Sequence, residues 1–357
     1  MNSPVKSFRL TIDNVACYAM KLWSDLDALD TAEWSTETIQ VAGRRLELRS
    51  PSRYYLDLCL DNLVQEAFDQ SEPVEVTEVI VLDRQDVPSL LSARWDTDNF
   101  SIKAFMESLA DENLSGVYDR DADFWQFYDH EAKRGLYILR SPASVPPWEP
   151  AFPLRNFFHW SCQGTSQGLL HAGTVGVDGE GVLIVGPGGS GKSGTTLAAI
   201  LSDMDSVGDD YVLASLQDDL VIAQPIISKM KQDSAGLKRV GLNSADEVFE
   251  GPNWQQKYCF DFTALGRGKR ADYLKINAIL LPRISLADKT TFTRASGLQA
   301  MGKLSPSSLH QLTGDWKRTV QFSASICRRL PAFHMNLGTD AKEISDSLRQ
   351  FLKGQMQ

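Results

Sequence analysis

The sequence predicts an α/β fold divided between two domains. Its 357 residues are more than one compact domain usually contains, so two domains of roughly 150 to 200 residues are expected. Four prolines fall within residues 141–150, a stretch that cannot form a helix or a central strand. After it come short apolar runs, of the kind that form strands buried on both faces, and a helical pattern. We therefore predict an N-terminal α+β domain over residues 1–145 and an α/β domain over residues 146–357.

Composition and charge exclude several classes of protein. The hydrophobic content of 43% and the charged content of 23% are ordinary for globular proteins, which argues against a mainly disordered chain. The net charge of −10 argues against a general nucleic-acid binder, because such proteins need a basic surface. No run of 18 apolar residues and no secretory signal pattern occurs. Five widely spaced cysteines without metal-ligand spacing are typical of buried thiols, so we expect a soluble, cytoplasmic protein with no membrane or nucleic-acid partner.

The N-terminal half combines strand and helix patterns but carries no motif with identifiable chemistry. Apolar and polar residues alternate over residues 8–12, as in a short strand. Residues 75–82 are rich in β-branched side chains, which also indicates a strand. The apolar spacing of residues 54–64 suits either a strand or a helix. Residues 124–128 and 135–139 are candidates for a hairpin. Four aromatic residues in this region could line a peptide groove or, more commonly, form core: Phe124, Trp125, Phe127 and Tyr128.

The C-terminal half contains stronger patterns. Residues 181–185 and 276–281 are apolar runs that predict buried strands, and residues 193–201 read as a helix. A last helix is predicted over residues 340–352, where four apolar residues fall on one face: Ile344, Leu348, Phe351 and Leu352. Asp340 and Glu343 have capping-box spacing at its start.

Residues 186–193 read Gly-Pro-Gly-Gly-Ser-Gly-Lys-Ser, which matches the P-loop pattern G-x-x-x-x-G-K-[ST]. Glycines let the backbone turn so that several N–H groups point at phosphate oxygens, and the following helix presents its positive end to the same anion. Lys192 would reach the β- and γ-phosphates, and the Ser193 hydroxyl would bind Mg²⁺. The alternative is a glycine-rich turn that binds nothing. The residues assigned to the nucleotide are Gly186, Gly188, Gly189, Ser190, Gly191, Lys192, Ser193 and Gly194.

Two adjacent carboxylates, Asp209 and Asp210, follow the P-loop pattern after one short predicted helix. On a strand, adjacent side chains point to opposite faces, so one aspartate could face the phosphates while the other braces the structure. The alternative is a solvated turn, because aspartate is common in turns. Asp218 and Asp219 lie farther from the loop and are expected at the surface.

His171, residues 181–193 and residues 208–211 together resemble the catalytic domain of HPr serine kinases. The similarity is greatest to the HPr kinase-like proteins encoded beside peptide-modification enzymes, such as those of lasso-peptide biosynthesis. It covers roughly residues 150–355. Further segments that resemble this group are 147–149, 153–155, 257–260, 279–283, 330–333 and 337–338.

The resemblance implies ATP-dependent, Mg²⁺-dependent phosphorylation of a seryl hydroxyl. It makes Asp209 the base, or the group that orients the hydroxyl. Asp210 would position the metal or the Asp209 carboxylate, and His171 would lie near the phosphates. Lys257 is a candidate phosphate or substrate contact, and so is Arg267 in the basic loop 266–270, which could instead be simply solvated.

The predicted function is therefore a kinase acting on a serine of a peptide or small protein. The long segment that follows the aspartate pair in true HPr kinases is absent, so we expect a kinase without the reverse phosphorolytic reaction. Two other hypotheses are a kinase of a small hydroxylated molecule, such as a sugar, polyol or amino acid, and a non-catalytic nucleotide-binding regulator. The resemblance also favours a homo-oligomer. For the N-terminal domain, the hypothesis is a role in substrate capture or regulation.

Overall fold

The computed structural model has a mixed α/β architecture, which confirms the predicted fold class at that level. It separates into two compact units: the first comprises Met1–Asp61 and Gln65–Ser161, and the second comprises Asn62–Val64 and Cys162–Gln357. Residues 146–161, which the sequence analysis assigned to the C-terminal domain, thus group with the first unit. The residues that the structure describes are 8–68, 75–83, 93–95, 101–141, 145–309 and 311–355.

The first unit is built on a six-stranded sheet with the strand order β2-β3-β4-β8-β7-β6. Strands β3, β4 and β8 run parallel to one another, the remaining neighbours are antiparallel, and β1 pairs with β5 separately. The strands are β1 (Phe8–Leu10), β2 (Ser35–Val41), β3 (Arg44–Ser50), β4 (Val76–Asp83), β5 (Ala93–Trp95), β6 (Leu114–Asp119), β7 (Phe124–Asp129) and β8 (Arg134–Leu139). The helices are α1 (Val15–Asp27), α2 (Arg53–Asn62), α3 (Ile102–Ala110) and α4 (Arg155–Ser161).

Several predictions for the N-terminal half can be compared with these elements. The hairpin is confirmed, because β7 and β8 pair in antiparallel register. Residues 54–64, which were open between strand and helix, lie largely in α2. The four clustered aromatic residues are at most 5% exposed, and Trp125 and Phe127 pack with Trp23 and Phe105 in one core. They therefore form core rather than a peptide groove. In the proline-rich stretch, residues 142–144 lie outside the described residues, and the others form no α-helix or strand.

The second unit is built on an eight-stranded sheet. Six strands follow the order β10-β11-β16-β13-β12-β9, while β18 pairs with β16 and β17 pairs with β18. The strands are β9 (Gln167–Leu170), β10 (Gly173–Val177), β11 (Glu180–Ile184), β12 (Val212–Gln217), β13 (Leu220–Pro225), β14 (Lys229–Asp233), β15 (Lys257–Asp261), β16 (Leu274–Ala287), β17 (Thr291–Ala295) and β18 (Ala332–Gly338). The helices are α5 (Lys192–Ile200), α6 (Ser234–Arg239), α7 (Gly297–Leu309), α8 (Trp316–Arg329) and α9 (Ala341–Gln355).

Helices cover both faces of this sheet. Leu304 of α7 and Ile326 of α8 pack in one core, while α5 and α9 contribute to another, which includes Leu348. Leu183 of β11 belongs to the first core and its neighbour Val182 to the second, as expected for a strand buried on both faces. The apolar runs predicted as strands accordingly lie in β11 and β16, the two central parallel strands.

Helix α9 begins as predicted, but its capping differs in one respect. The Asp340 carboxylate accepts a hydrogen bond from the Glu343 N–H at 2.7 Å, which is one half of a capping box. The Glu343 carboxylate instead accepts from the N–H and the hydroxyl of Thr290, both at 2.7 Å. Within the described part of the chain, no helix is long and apolar enough to cross a membrane.

Candidate functional site

The glycine-rich segment, residues 186–191, connects β11 to α5. Gly189 and Gly191 have φ angles of 77° and 103°, a region that L side chains rarely adopt. A Cβ at Gly191 would also lie 2.5 Å from Leu337 Cδ1, so only glycine fits there without a shift. A Cβ at Gly188 or Gly189 would meet nothing within 4 Å, so the backbone is open at these two positions. The chain thus turns tightly and begins α5 at Lys192.

Lys192 lies over the glycine-rich segment. Its Nζ donates hydrogen bonds to the carbonyl oxygens of Gly186 at 2.7 Å and Pro187 at 3.3 Å. The pKa of Lys192 is lowered. Burial is the main cause and the charge of Lys257 adds to it, while the charges of Asp209 and Asp210 oppose the shift. Both predicted aspartates and Lys257 are therefore within electrostatic range of the lysine.

Thr174 of β10 positions the loop that precedes the aspartate pair. The Thr174 N–H donates to the Gly208 carbonyl oxygen at 2.9 Å. The fully buried Thr174 hydroxyl oxygen accepts from the N–H groups of Val207 at 3.0 Å and Gly208 at 3.2 Å. The two aspartates follow directly and lie just before β12 rather than within it.

Asp209 is 3% exposed, and its Oδ1 has no hydrogen-bond partner among the described residues. Burial raises the pKa of Asp209, while the hydroxyls of Ser193 and Thr196 stabilise its charged form. A Cβ at Gly173 would lie 3.2 Å from Asp209 Oδ1, so that glycine leaves room for the carboxylate. The site thus contains a buried carboxyl group with one unpartnered oxygen beside the start of α5.

Asp210 has the opposite environment. Its Oδ1 accepts from His171 Nε2 at 2.9 Å, and its Oδ2 accepts from Lys231 Nζ at 2.7 Å. Burial opposes ionisation, but the Lys231 ammonium and the His171 hydrogen bond outweigh it and hold the pKa of Asp210 well below its usual range. Both carboxylate oxygens are therefore engaged within the protein.

His171 is fixed from both sides of its ring. Because a carboxylate can only accept, Nε2 carries the proton that is donated to Asp210. On the other side, Nδ1 faces the Ser307 hydroxyl at 2.5 Å and the Gln311 amide nitrogen at 3.3 Å, both of which can donate to it. The Tyr211 hydroxyl donates to Gln311 Oε1, which orients that amide. This network fixes the orientation and the tautomer of the imidazole.

Two cavities flank the glycine-rich segment. One is a mainly apolar cleft of about 150 Å³, lined among others by Gly191, Gly194, Val240, Ile284, Leu337 and Ile344. The other, which we call the α7 groove, has a volume of about 570 Å³ and is lined among others by His171, Gly188, Lys303, Pro306, Ser307 and Gln311. Both cavities thus border the glycine-rich segment, and polar side chains form part of the lining of the α7 groove.

The structure brings most of the predicted site residues together. The exception is Arg267, whose guanidinium lies 3.3 Å from Asp203, beyond the C-terminal end of α5 and away from the glycine-rich segment. Asp219 is exposed, as expected for a surface turn. Sequence reasoning missed Lys231, Ser307 and Gln311, because none of them lies in a local motif.

The oxygen donors can be tested for their fit to Mg²⁺. Among the residues that the structure describes, no group of three or more His, Cys, Asp or Glu side chains could hold a metal ion by itself. Mg²⁺ bound together with substrate phosphates needs few protein donors, and here the Ser193 hydroxyl lies beside the Asp209 carboxylate, whose charge favours a cation. These donors fit a metal shared with phosphates. No protein-family model matches this chain, and the search of curated proteins finds no similar one.

Proposed function

We propose that the second unit is a P-loop kinase domain of the HPr kinase type, which transfers the γ-phosphoryl group of Mg²⁺-ATP to a serine hydroxyl of a peptide or small protein. The observation that carries the proposal is the Asp209 carboxyl group, which is buried with an unpartnered oxygen beside the glycine-rich segment and Lys192. A buried carboxyl group with a raised pKa and a specific charged neighbour is typical of catalytic sites.

The phosphates would lie against the glycine-rich segment. The open backbone at Gly188 and Gly189, the N-terminal end of α5 and the Lys192 ammonium all favour an anion there. The apolar cleft would receive the base of the nucleotide, because Gly191 and Gly194 line both the cleft and the start of α5. A cavity of about 150 Å³ lined by aliphatic and aromatic side chains accommodates a benzene ring in another protein, so a flat ring is a suitable occupant.

Asp209 would accept the proton of the acceptor hydroxyl. Its raised pKa and its unpartnered oxygen suit a general base better than the low pKa and paired oxygens of Asp210 do. Phosphoryl transfer otherwise depends on positioning and on charge stabilisation, which Lys192 would provide. Mg²⁺, when bound, would neutralise phosphate charge, and Ser193 would help to hold it. We assign Asp210 the task of positioning His171 and Lys231 rather than that of a metal ligand.

Three expectations from the sequence stay predictions alongside this proposal. They are a role of the first unit in substrate capture or regulation, a homo-oligomeric state and a cytoplasmic location. Lys257 also stays a candidate substrate contact, because its charge acts on Lys192.

The proposal is tested by comparing the wild type with Asp209→Asn and with Asp219→Asn as a matched control. Nucleotide binding is measured by calorimetry, and phosphoryl transfer from Mg²⁺-ATP to a library of serine peptides is followed by intact mass. We expect Asp209→Asn to bind ATP but to lose transfer by about 10²- to 10⁴-fold, because the base is removed. The exposed Asp219 should be replaceable without effect.

Two outcomes would contradict the proposal. Full transfer by Asp209→Asn would remove the base assignment while leaving a kinase. Absence of ATP binding to the wild type would remove the nucleotide site altogether, because the glycine-rich segment and the apolar cleft would then have no shared ligand.

A further inference from the structure

The α7 groove carries positive charge that the proposed chemistry does not use. Lys303 of α7 is exposed and lines the groove together with Gly188 of the glycine-rich segment. Within the described part of the chain, Lys303 forms no ion pair with a carboxylate. A free cation beside the site is notable because the net charge of the protein is −10.

Arg283 adds a second positive charge close to the same place. Its Nη2 donates to His334 Nε2 at 3.2 Å, and its described surroundings provide no carboxylate partner. Burial lowers the pKa of His334, and the charges of Arg283 and Lys303 lower it further. His334 therefore has both cations within electrostatic range, and its neutral ring accepts the arginine hydrogen bond.

The backbone connects this cluster to the glycine-rich segment. Arg283 directly follows Pro282, whose Cδ lies 3.9 Å from the position of a Cβ at Gly186. Lys303 reaches the same region from α7 through the groove that it shares with Gly188. Lys303 therefore lies beside the segment where the phosphates are proposed to bind, on the groove that His171 also lines, and Arg283 acts on the same His334 ring as Lys303 does.

We propose that the α7 groove binds the phosphoryl acceptor and selects a serine peptide with acidic residues next to the hydroxyl. This inference rests on the proposed function and deepens it. Lys303, which has no carboxylate partner among the described residues, and the nearby Arg283 favour carboxylates, and their field would make a neutral or basic peptide bind less favourably. A groove of about 570 Å³ offers room for several peptide residues, which favours a peptide over a free hydroxy acid.

The test measures peptide binding separately from catalysis. Two fluorescent peptides, one containing Ser-Glu-Glu and the other Ser-Gln-Gln, are titrated with the protein in a non-hydrolysable ATP analogue, and anisotropy reports binding. The proteins are the wild type, Lys303→Glu and the control Lys353→Glu. Lys353 is an exposed lysine on α9, a helix that packs against the opposite face of the sheet from α7. Both variants change the net charge equally.

We expect the wild type and Lys353→Glu to bind the acidic peptide about fivefold more tightly than the neutral one. Lys303→Glu should lose or invert this preference, and about 0.5 M NaCl should weaken it in the wild type. Equal binding of the two peptides by the wild type would overturn the inference, even if both peptides were phosphorylated and the proposed function held.

The remaining outcomes are also decisive. If neither peptide binds but glycerate does, and Lys303→Glu abolishes that binding, the groove binds the carboxylate of a small hydroxy acid and not that of a peptide. If neither peptide nor glycerate binds, the groove is not an acceptor site. If the acidic preference depends on Lys303 but no phosphoryl group is transferred, the proposed kinase function fails while the acidic ligand of the groove stands.

Discussion

Thr174 holds the loop that carries the aspartate pair, and removal of its hydroxyl tests this account of the site. The Val207 N–H donates only to the Thr174 hydroxyl among the described residues, whereas the Gly208 N–H also reaches the Ser206 hydroxyl at 3.1 Å. Valine would therefore leave one buried N–H, that of Val207, without a partner. Such an orphaned donor costs about 1 to 3 kcal/mol, which corresponds to a Tm decrease of roughly 2 to 4 °C per kcal/mol in a unit of this size.

The assay is a set of four proteins with Thr, Val, Ser or Ala at position 174, compared by urea unfolding. The steps Thr→Val and Ser→Ala both remove the hydroxyl, and each should lower the free energy of unfolding by about 1 to 3 kcal/mol. The proteins that keep the hydroxyl should also keep the proposed phosphoryl transfer, because Asp209 stays in place. If both steps cost less than about 0.5 kcal/mol, the loop is held by something else and the reasoning is refuted.

Two further predictions concern the glycine-rich segment and the aspartate pair. Gly191→Ala should destabilise the protein by about 1 to 3 kcal/mol and weaken the proposed ATP binding, because the φ of Gly191 is 103° and an added Cβ would press on Leu337. Gly188→Ala, where the space is open, is the control for thermal stability. Equal stability of the two variants would contradict the strain argument. Because the folded pKa of Asp210 is depressed, its contribution to stability is complete above the unfolded pKa of about 3.9 and is lost as the pH falls through the folded pKa. Urea unfolding between about pH 6 and pH 2 should therefore show a smaller acid-dependent loss of stability in Asp210→Asn than in the wild type. The same loss in both proteins would show that the ion pair with Lys231 and the hydrogen bond from His171 add no stability.

The sequence predicts elements well where the signal is local. The strand that became β11, the helix that became α5 and the β7–β8 hairpin each follow from a short pattern of apolar and turn residues. Residues 54–64 could not be assigned, because the spacing of their apolar residues fits both the period of a strand and that of a helix. Tertiary packing decides in favour of α2, which buries Tyr55 against Tyr137 at a ring-centroid distance of 5.3 Å.

The limit of the first unit shows why a proline-rich stretch is an imperfect guide to a boundary. Helix α4 follows the prolines in sequence, but its Phe157 packs against Tyr137 of β8. The Phe157 ring also lies so close to β8 that a Cβ at Gly135 would meet it. Burial of large aromatic side chains groups this helix with the first unit. Proline composition reports where regular structure is interrupted, whereas long-range packing determines which residues form one compact unit.

The candidate site divides in the same way. Lys192 and the aspartate pair were predicted from a motif and from its distance to the next carboxylates. Lys231 comes from β14, and Ser307 and Gln311 come from the end of α7 and the loop after it, so their approach to the site depends on the topology of the second unit. No local pattern in the sequence encodes that approach.

The aspartate pair shows what the three-dimensional structure adds to the motif. Asp209 and Asp210 are adjacent in sequence, yet burial raises the pKa of the first, whereas Lys231 and His171 depress that of the second. Neighbouring carboxyl groups whose environments separate their pKa values can take different roles, one exchanging a proton and the other keeping a fixed charge. Under the proposed function, the proton therefore goes to Asp209, and the permanent charge of Asp210 keeps the His171 ring in one tautomer at the edge of the α7 groove.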